Sequence, residues 1–231
     1  TQNVSDKDNI VITKDCSGNK ALSFSRFYHS AKTAVEYKTA HSIAAISDFH
    51  GQYELMATIL TNNGVIDENG NWDFDKGHLV ITGDVFDRGD KVTEILWFLF
   101  NLEKQAMKQG GRVHLLLGNH ETMVLNDDLR YLHPKYFKVE KILKQSYSSL
   151  YGDNTILGQW LRSKNVLVKI NNILFAHGGF HPNLVKKELP LKKLNQVFSN
   201  NISKPLLPIR RSELGDYLHK TNGPIWYRGY F

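Results

Sequence analysis

The 231-residue chain contains a single cysteine, Cys16, which excludes an intramolecular disulfide framework and any thiolate metal cluster. Long apolar runs are equally scarce. The strongest, Ile95-Leu96-Trp97-Phe98-Leu99-Phe100, falls far short of the roughly 18 residues a membrane helix needs, so no membrane span and a soluble protein are expected. With only 6 prolines, 17 glycines and no biased tract, disordered and fibrous classes are excluded as well. Acidic residues are in the minority, 23 against 29 Lys plus Arg. The resulting charge of +6 favours acidic partners such as phosphorylated substrates, nucleic acid or anionic membranes, although a merely solvated basic surface would look the same. The first residue is Thr1 rather than methionine, which leaves room for a removed leader, so cytoplasmic, periplasmic and secreted locations all stay open.

What is present is an ordinary globular composition, 41% hydrophobic and 23% charged, at a length that supports one domain with a sizeable core. Residues 1–40 read as a polar flanking segment with a short hairpin, residues 10–13 and 21–24, turning through Ser17-Gly18-Asn19. From His41 onward strand–loop–helix units follow one another. A short buried strand at 42–46 precedes a helix over 53–62. A strand at 78–82 precedes a long helix over 92–109, closed by Gly110-Gly111. A third strand at 113–117 leads to a helix beginning near Glu121. Residues 126–163 read as largely helical, broken at Pro134 and Gly152, and form a cap-like wall. Residues 166–170 and 173–176 read as a hairpin turning at Asn171-Asn172. Three such units argue for an α/β sandwich.

In open α/β sheets the loops beyond the carboxyl ends of strands converge on one crevice. These loops carry Asp48 and His50, then Asp84, Asp87 and Arg88, then Asn119 and His120, and finally His177. Taken singly each is weak, since Gly-Asp and Gly-Gly are common turns. Together they supply oxygen and imidazole ligands suited to hard or borderline divalent ions, in a number that suits two metals better than one.

The ordered set Asp48-Phe49-His50-Gly51, Gly83-Asp84-Val85-Phe86-Asp87-Arg88-Gly89, Gly118-Asn119-His120-Glu121 and His177-Gly178-Gly179 resembles the signature of the phosphoprotein phosphatase family of metallophosphoesterases, over residues 41–231. Gly89-Asp90, Asp128-Leu129-Arg130-Tyr131-Leu132 and Trp226-Tyr227-Arg228-Gly229 resemble its Shewanella-like branch, whose members are often active on phosphotyrosine. The resemblance implies a β-sandwich flanked by helices, in the order αββα, and a metal-dependent phosphomonoester hydrolase acting on phosphorylated protein. It implies that Asp48 and His50 bind one metal, Asn119 and His177 a second, and Asp84 both. Manganese is the first expectation, iron or zinc the others. A hydroxide held between the ions would attack phosphorus in line, His120 would protonate the leaving oxygen, Asp87 would orient His120, and Arg88, Asn119 and Arg228 would bind the phosphate.

The family carries a further metal-binding histidine in a Gly-His-Thr or Gly-His-Ser motif beyond the Trp-x-Arg segment, and the chain ends at Phe231 without one. A catalytic domain shortened at its C-terminus is expected, the alternative being incomplete metal binding. Other functions stay open: hydrolysis of small phosphorylated metabolites or dinucleoside polyphosphates, with Tyr131, Tyr136 and Tyr151 as candidate wall residues; a nuclease, though no nucleic-acid partner is expected; and a non-catalytic phosphate-binding relative. His29, His41, His78, His114, His133, His181 and His219 read as structural or surface residues, with His181 the nearest rival for a site role.

Overall fold

Apolar residues on either side of residues 13–21 pair as two antiparallel strands, β1 (Asn9–Ile12) and β2 (Leu22–Ser25), in the register Asn9↔Ser25 to Ile12↔Leu22. This is the hairpin expected from sequence, displaced by one residue. The computed structural model describes residues 9–12, 22–25, 34–202 and 212–230. The turn at Ser17-Gly18-Asn19, Cys16, His29, Pro205 and Pro208 lie outside the described residues. The hairpin belongs to one compact unit, Thr1–Lys32, and everything below to a second, Thr33–Phe231.

The second unit opens with a two-residue strand, β3 (Glu36–Tyr37), inside the segment expected to flank the core. Then β4 (Ile43–Ile46), helix α1 (Tyr53–Asn62), β5 (His78–Ile81), α2 (Val92–Gln109) and β6 (Arg112–Leu115) follow. Strands β4, β5 and β6 form a parallel sheet in that order, as strands joined by helical crossovers must. The two helices start and stop where sequence places them. Gly110 ends α2 in the left-handed region at φ 83°, the usual role of a glycine there.

Next come α3 (Asn119–Leu125), α4 (Pro134–Leu143), a 3-10 turn at Ser148–Tyr151, α5 (Ile156–Arg162) and the hairpin β7 (Leu167–Ile170) and β8 (Ile173–Ala176). Pro134 opens α4 at its first turn, where a missing N–H costs nothing. The hairpin pairs with β3 in a second sheet, order β3-β7-β8. Helices α6 (Pro182–Val185), α7 (Leu191–Ser199) and α8 (Glu213–His219) complete the described chain.

The two sheets meet face to face. Val80 and Leu116 from one side and Val168 and Ile170 from the other form a buried cluster, with Tyr37, Ile43 and Phe175 packed against it. Helix α2 covers the outer face of the first sheet and α7 that of the second, which gives the αββα layering. On α2, Ile95, Leu96, Leu99 and Leu102 are all buried, each worth up to about 1.5–3 kcal/mol of transfer free energy. Asn195 pins α7 to β7: its Oδ1 accepts from the Val166 and Leu167 amides and its Nδ2 donates to the Leu167 carbonyl. His78 and His114 share a 3.0 Å ring-nitrogen hydrogen bond and meet the edge of Tyr37 across the sandwich, which is a packing role.

Two expectations need correction. The strand at 42–46 is only half-buried, with Ala45 exposed, because β4 is the edge of its sheet and β5, buried at every residue, is the centre. Of the three candidate wall tyrosines, Tyr136 and Tyr151 are buried. Their hydroxyls are engaged with the Asp90 carbonyl and with Thr93 and Tyr147, and Tyr151 packs edge-on against Phe86. The helical segment therefore buttresses the loop after β5. Among the described residues no helix is long and apolar enough to cross a membrane.

Candidate metal centre

The site grows from the carboxyl ends of β4, β5 and β6, where the sheet ladder continues into the loops. The Asp48 amide donates to the Gly83 carbonyl, His50 to Asp84 and Gly51 to Val85, so the first two motif loops are stitched side by side. Their closeness depends on missing side chains. At Gly83 (φ 106°) a Cβ would lie 2.4 Å from the Gly118 nitrogen, and at Gly51 (φ 69°) 2.6 Å from the Gly89 backbone. The turns are also sharp. Asp48 (φ 59°), His50 (43°), Asp84 (57°), Asp87 (70°) and Arg88 (64°) all occupy the left-handed region, a cost of about 1–3 kcal/mol each that the surrounding hydrogen bonds must offset.

Glu121 supplies much of that compensation. The side chain is fully buried, and its carboxylate accepts from the amides of Asp84 (2.8 Å), Val85 (2.8 Å), Phe86 (3.3 Å) and Gly118 (2.7 Å). Its residue type and place in the Gly118-Asn119-His120-Glu121 motif do not by themselves announce this role. The missed signal is its place three residues after Gly118, the residue that caps α3, where an acidic side chain reaches back to free amides. Glu121→Gln puts an amide N–H against these donors and is expected to lower stability by about 2–4 kcal/mol. A thermal or urea unfolding midpoint matching the wild type would contradict the anchoring role.

Asp84 is the hub. Its Oδ2 lies 3.6 Å from His50 Nε2, 3.4 Å from His177 Nε2 and 3.9 Å from His120 Nε2, and its Oδ1 accepts from the His120 amide at 3.1 Å. Burial, and next the negative charge of Glu121, push the Asp84 carboxyl up to about 7. A carboxylate so placed is short of positive charge, and a cation would reverse the shift.

The imidazoles are oriented for ligation. His50 Nδ1 donates to the Phe86 carbonyl at 2.7 Å and His177 Nδ1 to the Thr82 carbonyl at 3.1 Å. A carbonyl can only accept, so Nδ1 carries the proton and the Nε2 lone pair faces Asp84. Burial lowers the pKa of both rings, that of His177 to about 4, and keeps them neutral as ligands must be. Asn119 is buried and its Oδ1 has no hydrogen-bond partner among the described residues, which leaves it able to act as a metal donor.

Among the described residues, two groups of three have their donor atoms within 4.8 Å of one another: His50, Asp84 and His120, and Asp48, Asp84 and His177. Asp84 belongs to both, as a shared ligand has to. Asp48 groups with His177 rather than with His50. The donor set of carboxylate, amide and imidazole fits hard or borderline divalent ions.

His120 differs from the other two. Its Nδ1 is 2.6 Å from Asp87 Oδ2, and Asp87 is 1% exposed. Burial alone would lower the His120 pKa. The Asp87 hydrogen bond and the charges of Asp84 and Asp87 outweigh it and raise the value. Arg88 and Arg228 are both exposed at the rim. Arg228 Nη2 lies 3.2 Å from His177 Nε2, while Arg88 is close enough to His50 to lower its pKa. His181 caps α6, with its Nδ1 accepting from the Asn183 amide, a structural task. Asp127 accepts from Ser148 Oγ and Asp128 holds Arg130.

An αββα sandwich whose strand-end loops gather Asp, Asn and His around one shared carboxylate defines a metallophosphoesterase. The chain belongs to the calcineurin-like phosphoesterase family, which matches residues 41–227. It is 35% identical over 189 residues to Shewanella-like protein phosphatase 1 of Plasmodium berghei, an alignment covering 80% of this chain and 51% of that protein. The chain thus spans about half the length of that relative. The crystal structure of the cold-active protein-tyrosine phosphatase of a psychrophilic Shewanella species superposes with a TM-score of 0.90 at 40% identity, over 97% of this chain and 68% of that one. A symmetrical bis(5'-nucleosyl)-tetraphosphatase of Buchnera aphidicola is 30% identical over 140 residues, 59% of this chain and 44% of its own length. Family membership implies divalent metals.

Proposed function

We propose that the chain is a metal-dependent phosphomonoester hydrolase acting on phosphorylated protein, phosphotyrosine included. The observation that carries this reading is the 2.6 Å pair of His120 and Asp87 beside the Asp84 hub. With Nδ1 held by a buried carboxylate, Nε2 is the atom left to give a proton to a departing oxygen, and the Asp87 carboxylate favours the charged form of the ring. Asp48, His50, Asp84, Asn119 and His177 would hold two divalent ions, manganese first, iron or zinc otherwise. Bound there, the ions supply a water acidified towards neutrality and offset phosphoryl charge. Arg88 and Arg228, exposed on either side, present planar guanidinium groups that match two phosphoryl oxygens. The likeness to the Plasmodium phosphatase and the Shewanella tyrosine phosphatase supports a phosphoprotein substrate.

A second reading, hydrolysis of small phosphorylated metabolites such as dinucleoside polyphosphates, is favoured by the tetraphosphatase likeness. Phosphate release from a phosphotyrosine peptide, its phosphoserine counterpart and diadenosine tetraphosphate, measured with manganese, separates the two. Both peptides are expected to be hydrolysed with higher kcat/KM than the nucleotide. A nucleotide preference would transfer the function to metabolites.

A further inference from the structure

Tyr131 stands apart from the other tyrosines around the site. Its ring centroid is 5.3 Å from that of His120, yet the residue is 48% exposed, so it borders the proposed proton donor and still offers surface to solvent. The backbone holds it there: the Tyr131 carbonyl accepts from the Arg88 amide at 2.9 Å, which ties it to the loop bearing Asp87 and Arg88, and the next residue, Leu132, is buried as an anchor. On its other flank Arg130 lies 5.7 Å from the ring centroid and is held by two 2.8 Å hydrogen bonds to Asp128.

We infer that Tyr131 is a specificity-determining residue that selects aryl over alkyl leaving groups. The inference rests on the phosphatase reading above. His120 has one ring nitrogen left, Nε2, because Asp87 takes the other, and a proton donor must come within about 2.6–3.2 Å of the oxygen it protonates. Whatever is bonded to that oxygen is therefore delivered to the neighbourhood of the Tyr131 ring. A phenyl group, bonded directly to the oxygen, extends far enough to pack against the ring in an offset or edge-to-face arrangement. A seryl group offers one methylene before its backbone begins and leaves the ring largely uncovered. Tyr136 and Tyr151 cannot share the task, being buried with their hydroxyls engaged. Arg130, neutralised by Asp128, adds a flat, weakly hydrated edge to the same wall.

The test is the ratio of kcat/KM for a phosphotyrosine peptide to that for the phosphoserine peptide of the same sequence, measured with manganese on wild type, Tyr131→Ala and Tyr131→Phe. An aromatic pair is worth enough that the ratio should fall about three- to tenfold in Tyr131→Ala and return in Tyr131→Phe, which keeps the ring and drops the hydroxyl. A purely structural role for the segment would lower both rates together and leave the ratio unchanged, and that result overturns the inference while the phosphatase reading stands. Recovery absent in Tyr131→Phe overturns it too, because the hydroxyl and not the ring would then be the determinant. Wild type that hydrolyses neither peptide overturns the phosphatase reading and this inference with it.

Discussion

Asp84→Asn is expected to reduce phosphomonoester turnover by at least about a thousandfold, since several kcal/mol of metal-derived stabilisation are lost and each 1.4 kcal/mol is a factor of ten. The carboxylate is the only group shared by both donor sets, and an amide has no charge with which to hold two cations. The loss should appear as metal content as well as rate. Stability provides the control against misfolding. The Asp84 carboxyl is raised above its ordinary value by burial and Glu121, so in metal-free protein the folded state holds a proton that the unfolded state releases. This group's penalty is absent below the unfolded carboxylate pKa of about 4 and grows as pH rises towards the folded value. Metal-free Asp84→Asn should therefore melt above metal-free wild type at about pH 8, with a difference that shrinks towards about pH 5. A variant that melts lower at every pH would assign the lost turnover to a damaged fold.

His120→Asn is expected to lower kcat by about 10²–10⁴ on a phosphoserine peptide, with bound metal unchanged. Its Nε2 is 3.9 Å from Asp84 Oδ2, so geometry alone would also admit it as a ligand. The Asp87 pair argues otherwise, because it raises the His120 pKa, whereas burial lowers those of His50 and His177. An acid and a ligand need opposite shifts. The deficit should be much smaller on p-nitrophenyl phosphate, whose leaving group departs as a stable anion without a proton. Equal losses on the two substrates, or loss of metal, would make His120 a ligand and remove the proton-donor role.

How much of this was readable beforehand depended on the kind of signal. Helices 53–62 and 92–109 were legible because amphipathic periodicity and a terminal glycine act locally. The position of β4 in its sheet was not, since a short apolar run reads alike at an edge and at a centre. Strand β3 has two residues and finds its partner, β7, far along the chain, which leaves no local pattern to read. At the site, the ligand-type side chains announced themselves by residue type. The Thr82 and Phe86 carbonyls that set the histidine tautomers did not, because every residue carries such a group. Glu121 and Tyr131 fall between: both lie in quoted motifs, but their roles come from partners, four amides for one and the His120 ring for the other, that only folding brings near.

The most direct measurement is a titration of the metal-stripped chain with manganese while p-nitrophenyl phosphate hydrolysis is followed. Activity that is absent at the start and rises to a plateau at two equivalents per chain is the expected result. Stoichiometric metal binding without turnover at any loading would contradict the hydrolase and leave a phosphate-recognition protein built on the same loops.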